Sequence, residues 1–383
     1  MRKLLLSAAC FAALGTAAPA ASVFDAFTSF YATGDSLSDD GKLGDALKAP
    51  SVDGRFSNGP VWTEIIAENF AVDFNFALGG ATAGDINATD YSAGGTVTDP
   101  QLSQLVSLST FGNQAQVLSA FAGSSGDNPL VSVLFGANDI FQGLTAGTLT
   151  PEGVRAVAAS IADGIRDIQT LGGAQFDDFA VANLPDIGAI PAFNLPVLAA
   201  QGELALLDAT DAPADQVAAA QEALNSALAN QAAASALTSI FNGALSTELD
   251  ALRADASVYL IDQFTYFNDL LADPSRLGLL TGTLPCTFNL RADPAVGDCI
   301  VVGVNPVTGE PLVVEEIADL FLFIDPVHPN RIVQADFAEF AAGEIARQSV
   351  SPVPLPAGMP LMLAGLAGFG VIARRRKTAR AAP

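Results

Sequence analysis

Four short apolar and β-branched runs punctuate the chain: Phe30–Thr33, Val131–Phe135, Phe179–Asn183 and Val258–Ile261, each followed by polar or glycine-rich residues. Runs of this length, bounded by turn residues, read as strands. Between them the period changes. In 151–170, Val154, Val157, Ile161, Ile165 and Ile168 recur at steps of three and four, which marks one apolar helix face. A longer alanine-rich stretch, about 213–253, places Leu224, Leu228, Leu237, Phe241, Leu245, Leu249 and Leu252 at compatible spacings. Alanine is the best helix former, so this stretch reads as helix rather than linker. Strands alternating with helices imply an α/β chain with a parallel sheet covered on both faces. In such sheets a functional site lies beyond the carboxyl ends of the strands. No internal repeat is visible.

The two ends follow a different pattern. Residues 1–21 begin with Arg2 and Lys3, continue as the apolar run Leu4–Leu14 and exit through Ala18-Pro19-Ala20. This is the layout of a secretory signal peptide, with cleavage expected after Ala20 or Ala21. At the far end, Val353-Pro-Leu-Pro-Ala357 precedes the apolar Met359–Ala373 and the basic Arg374-Arg-Arg-Lys377. The apolar part is short of the roughly 20 residues that span a bilayer comfortably, and its basic end places that tail in the cytoplasm. The arrangement resembles the VPLPA variety of PEP-CTERM sorting tails, which implies processing by an exosortase-type enzyme; a plain anchor helix is the other reading. The expected organisation is a leader at 1–21, one domain at 22–350 and a sorting or anchor tail at 351–383.

Composition sharpens this picture. The 383 residues are 50% hydrophobic and 15% charged, ample for a core and unlike a disordered chain. Seventeen Lys and Arg oppose 41 Asp and Glu, a net charge of −24. Seven of the basic residues lie in the terminal segments, which hold no acid, so the middle of the chain is more acidic still. Such a surface repels phosphate backbones, and no nucleic-acid partner is expected. Cys10 would leave with the leader. Cys286 and Cys299 then remain, and in an exported chain they are expected to form a disulfide.

Candidate chemistry begins with the single histidine. His328 sits in Phe323-Ile-Asp325-Pro-Val-His328-Pro329, between prolines that fix the local backbone. An imidazole, with an unperturbed pKa of about 6.5, suits proton shuttling near neutral pH. Asp325, three residues earlier, is close enough for a tight turn to bring its carboxylate to the ring. A lone histidine can equally be a surface or core residue. Near the start, Gly34-Asp35-Ser36-Leu37 leaves a predicted strand for a Gly/Asp-rich turn, which would present the Ser36 hydroxyl at the sheet rim. An ordinary turn or helix cap is the alternative there. Gly79-Gly80 and Gly136-Ala-Asn138-Asp139 add backbone N–H groups and an amide side chain, the usual materials of an oxyanion hole.

Taken in order, these blocks resemble the GDSL, or SGNH, hydrolase family of esterases and lipases. Gly54-Arg-Phe-Ser-Asn-Gly59 with Trp62, and Asn183-Leu-Pro-Asp-Ile-Gly188, also look like the family, and the likeness spans about residues 29–345. The resemblance implies a flavodoxin-like three-layer α/β/α sandwich. It also implies Ser36 as nucleophile, His328 as base, Asp325 as its orienter, and Gly80 and Asn138 with the Ser36 N–H as oxyanion hole. The second block reads Gly79-Gly80 where the family more often has serine-glycine, which leaves open which glycine serves. Competing motifs fail: there is no G-x-S-x-G elbow, no true P-loop spacing, and too few histidines for a zinc hydrolase. The expectation is an exported or surface-associated ester hydrolase acting on lipid or acylated-glycan esters. No cofactor or metal is expected, and signal peptidase and an exosortase-type enzyme are the processing partners. An acyltransferase, a carbohydrate deacetylase and a non-catalytic surface protein on a hydrolase scaffold are the alternatives.

Overall fold

A computed structural model describes residues 22–84, 105, 108–287 and 317–349. Its centre is a five-stranded sheet. In chain order the strands are β1 (Ser29–Gly34), β2 (Asp73–Asn75), β3 (Pro129–Leu134), β4 (Asp178–Ala182) and β5 (Ser257–Ile261). They lie in the order β2-β1-β3-β4-β5, and every pairing is parallel. This is the flavodoxin-like order, whose reversal point falls between β1 and β3. All residues of β1, β3 and β4 are buried, which is why these strands read as unbroken apolar runs rather than alternating ones.

Helices cover both faces. On one side pack α1 (Trp62–Ala67), α7 (Gln263–Ala272) and α8 (Arg331–Ser349), joined by the rings of Trp62, Tyr266, Phe267 and Phe337. On the other side pack α2 (Phe111–Ala120), α4 (Pro151–Gly172) and the second half of α6 (Ala214–Leu252). The short α3 (Ala137–Ala146) leaves the end of β3, and α5 (Pro191–Ala209) pairs with α6. The helix expected over 151–170 is α4. Thr150 caps it by accepting the Gly153 N–H, and Pro151 occupies the first turn, where its missing N–H costs nothing. Of the expected apolar face, Val154, Ile161, Ile165 and Ile168 are fully buried and Val157 is half-buried.

The alanine-rich stretch is one helix of 39 residues, about 58 Å long at 1.5 Å per residue. Its stripe does not serve one purpose throughout. Leu237, Phe241, Leu245, Leu249 and Leu252 enter the core, whereas Leu228 is exposed and Ala220, Ala227 and Ala234 are buried instead. Small residues at that seven-residue spacing let the first half of α6 lie close against α5.

A second, two-stranded parallel sheet was not expected. It pairs β6 (Thr281–Pro285) with β7 (Phe321–Phe323), and β7 runs directly into the segment holding Asp325 and His328. Cys286 follows β6 and is buried. Cys299 lies outside the described residues, and the expected disulfide with it. The leader at 1–21 and the tail at 351–383 lie outside them too. Among the described residues no helix is long and apolar enough to cross a membrane.

Candidate active site

β1 delivers the chain to the sheet rim at Gly34, and Gln114 of α2 grips that point. The Gly34 N–H donates to Gln114 Oε1 and the Gln114 amide donates to Gly34 O, both at 2.8 Å. Asp35 then turns the chain. Its Oδ1 accepts the Leu37 N–H at 3.0 Å and its carbonyl accepts the Ser38 N–H. An aspartate turn of this kind is a standard way to reverse backbone direction. The Trp62 indole N–H fixes the exit by donating to Ser38 Oγ at 3.1 Å. Ser36 is left at the head of the turn, above β1.

The histidine arrives from the opposite end of the chain. After β7, Ile324 donates its N–H to His328 O, closing a tight loop. Within it, Asp325 Oδ1 accepts the N–H groups of Val327 at 2.8 Å and His328 at 2.7 Å. That leaves Oδ2 to meet His328 Nδ1 at 2.7 Å, while His328 Nε2 lies 2.7 Å from Ser36 Oγ. The Phe56 ring, 4.7 Å from the imidazole, packs against its face. Burial alone would push the Asp325 carboxyl up. The charge and hydrogen bond of His328, with the two backbone N–H groups, outweigh it and hold this carboxyl below the usual range.

The glycine block is clamped by a third acid. Asp39 Oδ2 accepts the Gly79 N–H at 2.8 Å, and its Oδ1 accepts the N–H groups of Gly41 and Lys42. Gly79 is therefore occupied. Gly80, at φ +81°, directs its N–H elsewhere, and neither that N–H nor that of Ser36 has a hydrogen-bond partner among the described residues. A Cβ at position 79 would stand 2.2 Å from the Phe56 ring, so a serine there would require that ring to shift. Asn138, in the first turn of α3, donates one amide hydrogen to Ala81 O at 2.9 Å and keeps a second. Asp139 ties this block to the glycine block by accepting the N–H groups of Ala83 and Gly84.

Ser36, His328, Gly80 and Asn138 line one cavity of about 170 Å³, with Phe56, Phe141 and Val327 as its apolar walls. Asp325 stands behind His328. All five candidate residues described are thus brought to the carboxyl ends of β1 and β3, at the reversal point of the sheet. Burial pushes the acids Asp39 and Asp139 up against the pull of their N–H partners. Asp35 is the extreme case: burial carries it to about 7 despite the Leu37 N–H and the nearby His328. Its Oδ2 has no hydrogen-bond partner among the described residues. Among the described residues no three His, Cys, Asp or Glu side chains converge on a point that would hold a metal.

These supports carry little local signal. Asp39 sits in the Gly/Asp-rich turn, and Gln114 lies outside the candidate blocks. Only its place among apolar neighbours in α2 marks it.

Comparison with known proteins adds to this geometry. The model of the family described as GDSL-like lipase/acylhydrolase matches residues 30–340. A phosphatidylcholine-sterol acyltransferase of Aeromonas hydrophila is 27% identical over 361 residues, covering 84% of this chain and 91% of that protein. The crystal structure of the lipase Lip_vut3 from a goat rumen metagenome aligns at 11% identity with a TM-score of 0.35, covering 85% of this chain and 99% of that one.

Proposed function

The chain belongs to the GDSL-like lipase/acylhydrolase family, and from that premise we propose that it is a serine ester hydrolase working through Ser36, His328 and Asp325. The observation that carries this reading is the unbroken relay in which one imidazole nitrogen meets Asp325 and the other meets Ser36 Oγ, each at 2.7 Å. Asp325, held ionised, keeps the ring proton on Nδ1 and leaves Nε2 bare to accept. Ser36 Oγ bonds to the acyl carbonyl carbon as its proton passes to Nε2. The carbonyl oxygen becomes an oxyanion, met by the N–H groups of Ser36 and Gly80 and by the free Asn138 amide hydrogen. Collapse breaks the ester C–O bond, and the departing alkoxide takes the proton from Nε2. Water, deprotonated by the same nitrogen, then releases the acid and restores Ser36.

The supports follow from this chemistry. Asp39 holds Gly79 so that Gly80 faces the oxyanion, and Phe56 blocks rotation of the imidazole. A non-catalytic scaffold would need none of these. In the same reading the chain is exported by its leader, and the tail at 351–383 is a surface-sorting segment. The test is kinetic. Ser36→Ala and His328→Ala should each lower kcat/KM on a short-chain ester by at least about 10³-fold with the fold intact by circular dichroism. A loss under about 100-fold for either would remove the assigned roles.

A second reading concerns the acyl acceptor. The relative named as an acyltransferase suggests that an alcohol can take the place of water. Adding a long-chain alcohol or sterol and quantifying the new ester against free acid separates transfer from hydrolysis.

A further inference from the structure

The stretch Gly54–Gly59 holds none of the reacting groups, yet Asn58 near its end is buried with both ends of its amide engaged. Its Nδ2–H donates to Asp319 Oδ1 at 2.7 Å, and its Oδ1 accepts the Arg331 N–H at 2.8 Å. These two partners stand on either side of the histidine. Asp319 lies in the turn that leads into β7, ahead of Asp325, and Arg331 opens α8 just after His328. The Arg331 guanidinium closes the same gap, its Nε donating to Asp319 Oδ1 at 3.0 Å. Gly59 permits this approach, since a Cβ there would stand 2.9 Å from the Arg331 side chain. Segment 319–331 is therefore a loop closed at its neck by one buried amide and one partly exposed ion pair.

The chain that follows Asn58 also grips the nucleophile turn. Trp62 Nε1 donates to Ser38 Oγ and the Thr63 hydroxyl donates to Ser38 O, both at 3.1 Å. The Trp62 backbone N–H donates to Gln334 Oε1 of α8. Residues 58–63 thus form a strut between two parts of the site that lie 292 positions apart in the chain. We propose that Asn58 is a positioning residue of the ester-hydrolase reaction, which sets His328 Nε2 against Ser36 Oγ by holding both ends of the histidine segment. The inference rests on the hydrolase reading and names a residue on which its relay depends. Within the segment the histidine needs no such help. Asp325 binds the Val327 and His328 N–H groups with one oxygen and the imidazole with the other, so this unit keeps its shape if the neck opens. What the neck controls is where the unit stands, and an error of about 1 Å in such a contact can cost 10²-fold in rate. The buried bond from Asn58 to a carboxylate is the stronger part of the neck, because the exposed guanidinium is well screened.

The test counts sites and times them separately. Ethyl p-nitrophenyl methylphosphonate, run to completion, releases one nitrophenol for each Ser36 whose Oγ bonds to phosphorus, and kcat on p-nitrophenyl acetate is then taken per titrated site. Asn58→Ala should keep one site per chain while lowering kcat per site and the phosphonylation rate by about tenfold or more. The midpoint of the acid limb of kcat/KM should stay at its wild-type value, because Asp325 and His328 move together. Asn58→Asp should lose more, since it sets a second carboxylate against Asp319. Adding Asp319→Asn to it restores the hydrogen bond in the reverse direction and should return the rate per site to within about threefold of wild type. Should Asn58→Ala fail to fold, Asp319→Ala removes the same bond from a half-buried position and carries the same expectation. Fewer titratable sites, each working at the wild-type rate, would make Asn58 a stability residue and overturn the proposal, as would a displaced acid midpoint. If wild-type Ser36 is not modified at all, the hydrolase reading falls and this one with it.

Discussion

Asp35 is the residue whose surroundings suit its charge least. It is fully buried beside Ser36, one carboxylate oxygen lacks a partner among the described residues, and burial raises it from 3.8 to about 7. The folded protein therefore binds a proton that the unfolded chain has released between these two values. Stability should fall as pH rises through this window, by up to about 1.4 kcal/mol per pH unit. Asp35→Asn keeps the shape and removes the charge, so it should raise the melting temperature at pH 8, with the gain fading toward pH 4. Asp325, held below its usual range, acts in the opposite sense and costs stability only in stronger acid. Paired melting curves of wild type and Asp35→Asn across this range check the sign. A gain that grew on acidification would contradict it. At this scale the candidate residues that meet around Ser36 were legible because few alternatives existed: one histidine, one Gly-Asp-Ser, one Asp-Pro-Val-His. Asp39 and Gln114 were not. The bonds by which they brace the site, to Gly79 and Gly34, span 40 and 80 positions, and no local pattern records such a bond.

Among elements, strands buried on both faces were the easiest to read, and the four expected runs are β1, β3, β4 and β5. β2 is three residues long and half exposed, too short to carry a periodic signal. β6 mixes threonine, glycine and proline with one leucine, β7 is only three residues long, and their pairing depends on positions far apart in the chain. The α6 helix was legible in extent but not in environment, because leucines recur along it whether or not the core is beneath them. Its two halves should respond differently to substitution. Phe241→Ala, emptying a fully buried site, should cost about 3–5 kcal/mol in denaturant unfolding. Leu228→Ser, at 42% exposure, should stay within about 0.5 kcal/mol. Equal costs would mean that the first half of α6 is also core.

For the whole molecule, the proposal assigns export and processing to the ends of the chain and the site to its interior. In protein recovered from its native host, intact mass should lack residues 1–21 and the segment beyond Pro352, and thiol titration before reduction should find no free cysteine. Bridging Cys286 and Cys299 would then stabilise by about 3 kcal/mol on the chain-entropy model. Two titratable thiols, or a mass that includes both ends, would contradict the proposed route. The central claim is that residues 292 positions apart form one nucleophilic site. Acid quenching during turnover of a short-chain p-nitrophenyl ester, followed by peptide mass mapping, tests it most directly. The account predicts one acyl group on Ser36, absent from Ser36→Ala and strongly reduced in His328→Ala. Acylation at any other residue, or steady turnover by Ser36→Ala at the wild-type rate, would contradict it.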